Sequence, residues 1–236
     1  MIMKIIGIIP VRGGSKGVPG KNIKEIAGKP LISYAIEVAE KCDRLDEIWI
    51  SSDDDKILAF AKGDKRIKAH KRSPELSSDT SPVTDTVAEI LRISDSQSET
   101  KATEILLLQA TAPIRTVEQV NEAIDLMYAN EKANSVISVV AVDDSHPARM
   151  YWREDSLLMP IMPEFEQTRR QDIPKAYFRN GCIYIVRAEA FKQHHSVMVK
   201  PSIGYEMPYS QLLNIDEPRD FLIAEVLVKA WLRGEL

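Results

Sequence analysis

Short unbroken apolar runs and segments of helical period take turns through the first two-thirds of the chain, and that order constrains the fold more than any other feature. Lys4 to Pro10 is an apolar run of strand length, as expected for a strand covered on both faces. Leu31, Ile32, Ala35, Ile36 and Ala39 then recur at helical spacing. Glu47 to Ser51 reads as a second strand, Lys56 to Lys62 as a short helix and Val83 to Ile93 as a longer one. Glu104 to Gln109 is a third core strand, Val117 to Tyr128 is helical, and Ser135 to Val142 is β-branched and strand-like. This alternation predicts an α/β fold with a doubly wound, mostly parallel sheet. A ligand then belongs in the crevice beyond the strand C-termini, where Arg12 and Gln109 both follow strands.

From 143 to 176 the pattern lapses. Pro147, Pro160, Pro163 and Pro174 interrupt it, yet Met150, Tyr151, Trp152, Leu157, Leu158, Ile161 and Met162 make it too apolar for a disordered linker. We read it as an excursion of short strands and loops that covers a partner surface, with a homodimer expected. Cys182 to Arg187 returns as a strand, and an amphipathic helix runs from about Pro218 to Leu232. The whole of 1–236 is read as one domain with 143–176 as its dimerisation segment. A formal charge of −4 argues against a nucleic-acid partner. Cys42 and Cys182 cannot make a disulfide framework, and no C-x-x-C spacing exists for zinc. The first apolar run is too short to span a bilayer and has no cleavage pattern, so no membrane is expected and the cytoplasm is the default setting.

The end of the first strand runs into a glycine-rich loop, Ile8-Ile9-Pro10-Val11-Arg12-Gly13-Gly14-Ser15-Lys16-Gly17-Val18-Pro19-Gly20-Lys21-Asn22. Its glycines permit tight turning and close approach, Arg12, Lys16 and Lys21 supply cations, and successive N–H groups in such a turn form an anion nest. A polyphosphate suits it. A Walker A loop is excluded, since the residue five before Gly20 is Ser15 and Asn22 replaces the Ser or Thr that holds Mg²⁺. A dinucleotide fingerprint is excluded too, because Pro19 stands where its helix begins.

The loop resembles the nucleotide-binding signature of the acylneuraminate cytidylyltransferases, which make CMP-activated sialic acids and related nonulosonic acids. Three further segments resemble the same family in the same order. Arg72-Ser73-Pro74-Glu75-Leu76-Ser77-Ser78-Asp79-Thr80 is similar to R-P-x-x-L-[AS]-x-D-T, with Ser73 as an extra residue. Leu106 to Arg115 is similar to L-L-Q-P-T-S-P-x-R, with Ala110 and Ala112 in place of Pro and Ser. Arg169 to Ile185 is similar to R-R-Q-[DE]-x-P-x-x-[FY]-x-x-N-G-x-[IV]-Y. Asn214-Ile215-Asp216 stands where the family has D-[IV]-D, whose aspartates hold the catalytic Mg²⁺. Read from the residues alone, alternation puts 214 and 216 on one face, and the alternative for Asp216 is an N-cap of the helix that follows. Ser51-Ser52-Asp53-Asp54-Asp55 reads as a helix cap, and the resemblance sets it near the nucleotide.

The resemblance implies a nucleotidyltransferase of Rossmann-like fold, acting on CTP and a nonulosonic acid as a homodimer with Mg²⁺. It implies that Arg12, Gly13, Gly14, Ser15, Lys16, Lys21 and Asn22 hold the nucleotide, joined by Arg72 and by a hydroxyl assigned to Thr84, with Ser81 second. Gln109 is placed against the acceptor sugar, Arg170 on its carboxylate, which arginine grips bidentately, and Asn180 shapes the site. Arg12, Lys16, Lys21 and Asp216 are the expected catalytic set, and Asp216 with Asn214 the expected metal ligands, Asn214 offering a neutral oxygen. Two alternatives stay open: a sugar nucleotidyltransferase with another nucleotide or an octulosonate-type acceptor, and a non-catalytic nucleotide-binding relative. The histidines His70, His146, His194 and His195 show no ligand spacing and read as surface or packing residues, and no Ser-His-Asp arrangement can be nominated.

Overall fold

The computed structural model describes residues 3–14, 17–78 and 80–236. Strand β1 (Ile5–Pro10) leads into the glycine-rich loop, followed by a two-stranded ribbon of β2 (Glu25–Ile26) and β3 (Lys29–Pro30) and by helix α1 (Leu31–Lys41). Then come β4 (Glu47–Ser52), α2 (Asp55–Leu58), β5 (Ile67–Lys71), α3 (Val83–Gln97), β6 (Glu104–Leu107), α4 (Val117–Ala129) and β7 (Ser135–Val142). A hairpin of β8 (Tyr151–Glu154) and β9 (Leu157–Pro160) interrupts the alternation. The chain closes with β10 (Ala176–Arg187), α5 (Ala188–His194), β11 (Ser202–Glu206) and α6 (Pro218–Leu232).

The main sheet has the order β11-β7-β10-β6-β1-β4-β5. Only β10 runs antiparallel to its neighbours, so the expected doubly wound, mostly parallel sheet is what forms. From β1 the chain moves outward to β4 and β5, then crosses back to β6 on the other side of β1. The switch point therefore lies between β1 and β6, and the loops after their C-terminal ends open a crevice.

Period-two packing explains why β1 is apolar throughout. Ile5 and Ile9 face a core shared with Ile32, Ala35, Ile36, Val120 and Ile124 of α1 and α4. Ile6 and Ile8 face the other layer, with Val87, Ile90 and Leu91 of α3 and Phe191 of α5. A third cluster joins Phe221, Ala224 and Val228 of α6 to Val18, Leu31, Leu213 and Ile215. It fastens the glycine-rich loop and the segment before α6 to one another, which brings residues far apart in sequence to the same cleft.

Several expectations shift in detail. Helix α2 is a single turn, capped at its start by Asp54 accepting from Lys56 N at 2.8 Å; past Leu58 the chain tightens, with Phe60 N and Ala61 N bonding back three residues to Ile57 O and Leu58 O. Strand β6 ends at Leu107, short of Gln109. The strand expected from Cys182 begins at Ala176, and a register irregularity between Arg179 and Tyr184 separates its two halves. The excursion after β7 does contain short strands, and its hairpin exposes Tyr151, Trp152, Leu157, Leu158 and Met159.

Candidate active site

Beyond the C-terminal ends of β1 and β6 lies a cleft of about 480 Å³. The loop after β1 forms one wall. Val11 N donates to Ser51 O at 2.8 Å, so the chain leaves β1 still held to β4. Buried Asn22 donates from Nδ2 to Arg12 O at 3.0 Å, which ties the two ends of the loop together. Gly20 takes φ 65°, in the left-handed region, to start the turn Lys21–Ile23. Gly13 and Gly17 answer a different need. A Cβ on Gly13 would meet Asp54 Cβ at 2.7 Å, and one on Gly17 would meet Asp216 O at 2.2 Å. The close approach these glycines allow is to the chain's own acidic segments, whereas the sequence suggested approach by a ligand. Ser15 and Lys16 lie outside the described residues.

Those acidic segments already engage the loop. Gly13 N donates to Asp53 Oδ1 at 2.8 Å, so a carboxylate occupies an amide expected to meet phosphate. Lys21 Nζ donates to Ile215 O and to Asp216 Oδ1, both at 2.8 Å. Asn214 Nδ2 donates to the other carboxylate oxygen of Asp216 at 2.8 Å. Leu213 and Ile215 are buried while Asn214 and Asp216 are exposed, which is the alternation expected. Asp216 does not cap α6. That helix has a capping box of Glu217 and Asp220, and Asp220 Oδ2 accepts from Asp216 N and Glu217 N at 2.8 Å each.

The cleft is also lined by Arg12, Lys21, Arg72 and Gln109. Arg72 follows β5 and is held by two bonds to β4, from Nε to Ser51 Oγ at 2.8 Å and from Nη2 to Ser51 O at 3.1 Å. Burial pulls its pKa down to about 10, with Asp53 acting upward and Arg12 downward, so it remains a cation at neutral pH. Gln109 lines the cleft while its carbonyl accepts from Arg115 Nη2 at 2.9 Å. Arg115 is fully buried and also donates to Cys182 O at 2.8 Å, so it braces the turn after β6 from behind. Gly181, with φ 79°, makes room: a Cβ there would stand 3.1 Å from Gln109 Oε1.

Three expected site residues stand elsewhere. Thr84, in the first turn of α3, does not line the cleft; Ser81, the second choice, does, as does Val83 at the head of the helix. Asn180 is buried in the irregular part of β10, where it accepts from Ser138 Oγ at 2.6 Å and from Cys182 N at 3.3 Å. Its amide supports the strand and does not reach the cleft. Arg170 is exposed and paired with Asp143 at 2.6 Å and Asp144 at 3.1 Å, in a separate depression beside His146 and Lys175. Gly13 and Gly14 border the cleft without lining it.

Sequence reasoning set the turn that begins at Ser51 near the nucleotide and read His70 as a surface or packing residue, without joining the two. They are partners across the β4–β5 ladder, and Ser51 Oγ lies 2.8 Å from His70 Nδ1. Only the strand register brings them together, and β5 gives little strand signal.

The donors present do not form a preassembled cation site. Asp216 is the sole carboxylate among the described lining residues, and Lys21 and Asn214 engage both of its oxygens. Among the described residues no group of three or more His, Cys, Asp or Glu could hold a metal ion, and no helix is long and apolar enough to cross a membrane.

Comparison with known proteins gives this cleft a family. A family model described as cytidylyltransferase matches residues 6–227. A pseudaminic acid cytidylyltransferase of Campylobacter jejuni is 31% identical over 229 residues, which cover 96% of this chain and 97% of that protein. An N-acylneuraminate cytidylyltransferase B of Danio rerio is 33% identical over 221 residues, 92% of this chain and 50% of that protein. Among solved structures, a CMP:2-keto-3-deoxy-manno-octonic acid synthetase complexed with CTP shares the fold, with a TM-score of 0.69 at 18% identity over 99% of this chain and 100% of that one. With the match running through nearly every element that builds the cleft, this chain belongs to the cytidylyltransferase family.

Proposed function

We infer that this protein transfers a CMP group from CTP to a nonulosonic acid. The anomeric hydroxyl oxygen of the acid attacks the α-phosphorus; a new P–O bond forms as the bond from the α-phosphorus to the α,β-bridging oxygen breaks, pyrophosphate leaves with that electron pair, and the hydroxyl proton passes to solvent. One observation carries the reading: the cations Arg12, Lys21 and Arg72 converge with Gln109 in one cleft at the sheet's switch point. In this reading Arg12 and Lys21 take the triphosphate and Asn22 holds the loop that presents them. Arg72 places the nucleotide and Gln109 faces the acceptor. Transfer of this kind depends on positioning and on stabilising charge at the phosphoryl oxygens, which fixed cations in a recessed cleft supply.

Because Asp216 is already paired, Mg²⁺ enters the proposal only as a counter-ion carried by the triphosphate. Arg170 lines a separate depression and not the cleft that holds the other cations. Its role and the homodimer are therefore one proposal, in which the exposed hairpin face of 150–159 with Tyr177 and Phe178 is buried against a second copy that brings Arg170 to the neighbouring cleft. The proposed setting is cytoplasmic.

The test is pyrophosphate release from CTP with Mg²⁺ and a panel of nonulosonic and octulosonic acids. The expected result is stoichiometric pyrophosphate and CMP-sugar with a nonulosonic acid. Release only with an octulosonic acid would move the acceptor class. A second reading, CTP binding without turnover, rests on Asn214 and predicts CTP binding by calorimetry with no pyrophosphate from any member of the panel.

A further inference from the structure

Behind the cleft, a continuous chain of hydrogen bonds runs from the nucleotide-facing cation to the far helix layer. Arg72 Nε donates to Ser51 Oγ at 2.8 Å, Ser51 Oγ lies 2.8 Å from His70 Nδ1, and His70 Nε2 lies 3.0 Å from Glu89 Oε2 on α3. Ser51 is fully buried and His70 is 5% exposed, so water does not compete for these groups. A guanidinium has no acceptor, so Arg72 donates and Ser51 Oγ accepts. A carboxylate only accepts, so His70 carries a proton on Nε2 and donates it to Glu89. With the ring neutral, Nδ1 then holds a lone pair and accepts the hydroxyl proton of Ser51.

The arrangement contains Ser, His and Glu but is not a nucleophilic triad. Ser51 Oγ has no exposure to the cleft and is committed to Arg72. What the chain does accomplish is to fix a long side chain. Arg72 Nε is bonded to the hydroxyl and Nη2 to the carbonyl of Ser51, so the guanidinium plane is set by one residue of β4. Nη1 has no bond to another described residue and is the edge left to a ligand. Burial holds the pKa of His70 below its ordinary value; Glu89 opposes this and Arg72 adds to it, in keeping with a neutral ring.

We propose that Ser51, His70 and Glu89 are positioning residues for nucleotide binding, acting through Arg72 by locking its guanidinium against β4. The proposal rests on the reading of Arg72 as a nucleotide ligand. It assigns the three residues no contact with substrate and no part in proton transfer.

The experiment is a double-mutant cycle on the full chain, with CTP binding measured by calorimetry and KM and kcat measured separately for CTP and acceptor. Ser51→Ala removes the acceptor of a charged hydrogen bond and should weaken CTP binding about tenfold. The KM for the acceptor should stay unchanged. In an Arg72→Ala background, Ser51→Ala should have no further effect on CTP binding. His70→Asn keeps an acceptor near the Nδ1 position and should bind CTP within about threefold of the unaltered chain, whereas His70→Leu should match Ser51→Ala. Thermal midpoints of all variants identify any that fail to fold, and His70→Asn against His70→Leu then carries the comparison. If Arg72→Ala weakens CTP binding but Ser51→Ala and His70→Leu do not, the relay is wrong. Equal effects of Ser51→Ala with and without Arg72 would also overturn it. If Arg72→Ala leaves CTP binding unchanged, the nucleotide reading of Arg72 fails and the relay fails with it.

Discussion

Replacing Gly17 by alanine isolates what the glycine-rich loop contributes to this cleft. The backbone itself accepts alanine, since Gly17 is not in the left-handed region. The added Cβ, however, would lie 2.2 Å from Asp216 O, and Cβ atoms do not approach other heavy atoms closer than 3.0 Å. One partner has to move by nearly an ångström. The Asp216 backbone is poorly placed to do so. Its N–H is bonded to Asp220 Oδ2, and Ile215 N donates to Thr111 O at 2.9 Å. The loop therefore gives way and carries Lys21 off Ile215 O and Asp216. A displacement of about 1 Å in a positioning group can cost about 100-fold in rate, or about 2.7 kcal/mol of transition-state stabilisation. Steady-state kinetics with CTP should show kcat/KM lowered on that scale, with a modest fall in thermal midpoint because neighbouring Val18 packs in the third cluster. Gly14→Ala is the matched control. A Cβ there meets nothing within 4 Å, so its kinetics should remain within about twofold. Wild-type kinetics for Gly17→Ala, or equal losses at both positions, would refute the argument from close approach.

Lys21→Ala should raise the KM for CTP more than tenfold and leave acceptor KM nearly unchanged, while Arg170→Ala should do the reverse; equal effects on one Michaelis constant would remove the proposed division of labour. Trp152→Glu, which puts a charge on the exposed hairpin face, should convert a dimer to monomer by light scattering, and a monomeric unaltered chain at micromolar concentration would end the dimer proposal. Asn214→Asp restores a second carboxylate beside Asp216, so Mg²⁺ binding to the nucleotide-free protein should tighten in calorimetry; an unchanged isotherm would deny position 214 any ligand role. Acid stability should depend on Glu47, whose burial alone would raise its pKa but whose bonds from Lys4, Trp49, Ser94 and Lys68 together bring it down from 4.5 to about 2. A depressed carboxylate contributes stability above its unfolded pKa that is lost as pH falls toward the folded value. Glu47→Gln should therefore remove about 3 kcal/mol at pH 7 and much less near pH 2, read by denaturant unfolding at each pH.

The elements legible in the sequence were those whose signal is local. Ser135–Val142 and Pro218–Leu232 coincide with what β-branching and helical periodicity indicate. Strands β5 and β11 were missed because they lie at the two edges of the sheet. Ile67–Lys71 interleaves lysines with a histidine, and only His70 in it is fully buried. Edge strands need little apolar surface, so a pattern built on burial cannot see them. The antiparallel course of β10 was equally hidden, since it is settled by pairing with β6 and β7 rather than by its own residues. Site residues followed the same division. Arg12, Lys21, Asn22, Arg72, Gln109, Asn214 and Asp216 lie in loops that leave strand ends or are tied to them, and all line one cleft. Thr84 sits just past the turn at Pro82 and Arg170 in the short turn Arg170–Asp172 of the excursion, whose directions motif spacing does not encode, and Asn180 lies in a bulge that turns its amide inward.

The cleft has already solved, with its own atoms, the electrostatic problem that a triphosphate would otherwise solve for it. An anion nest and a recessed lysine are costly to leave without negative partners. Here Asp53 accepts from the Gly13 amide and Asp216 from Lys21, so carboxylates stand in the positions proposed for phosphate oxygens. The same two glycines that let the loop touch these acidic segments set how near the carboxylates lie. Binding CTP then becomes an exchange of internal anions for external ones, and the net gain depends on what the displaced carboxylates find next. Asn214 bears on that exchange. Its amide stays beside Asp216 as a second donor, so when Lys21 turns to the nucleotide the carboxylate keeps a hydrogen bond that a second aspartate in that position could not supply. On this argument the asparagine favours release of Lys21 at the same time as it weakens the chain's own hold on a divalent cation.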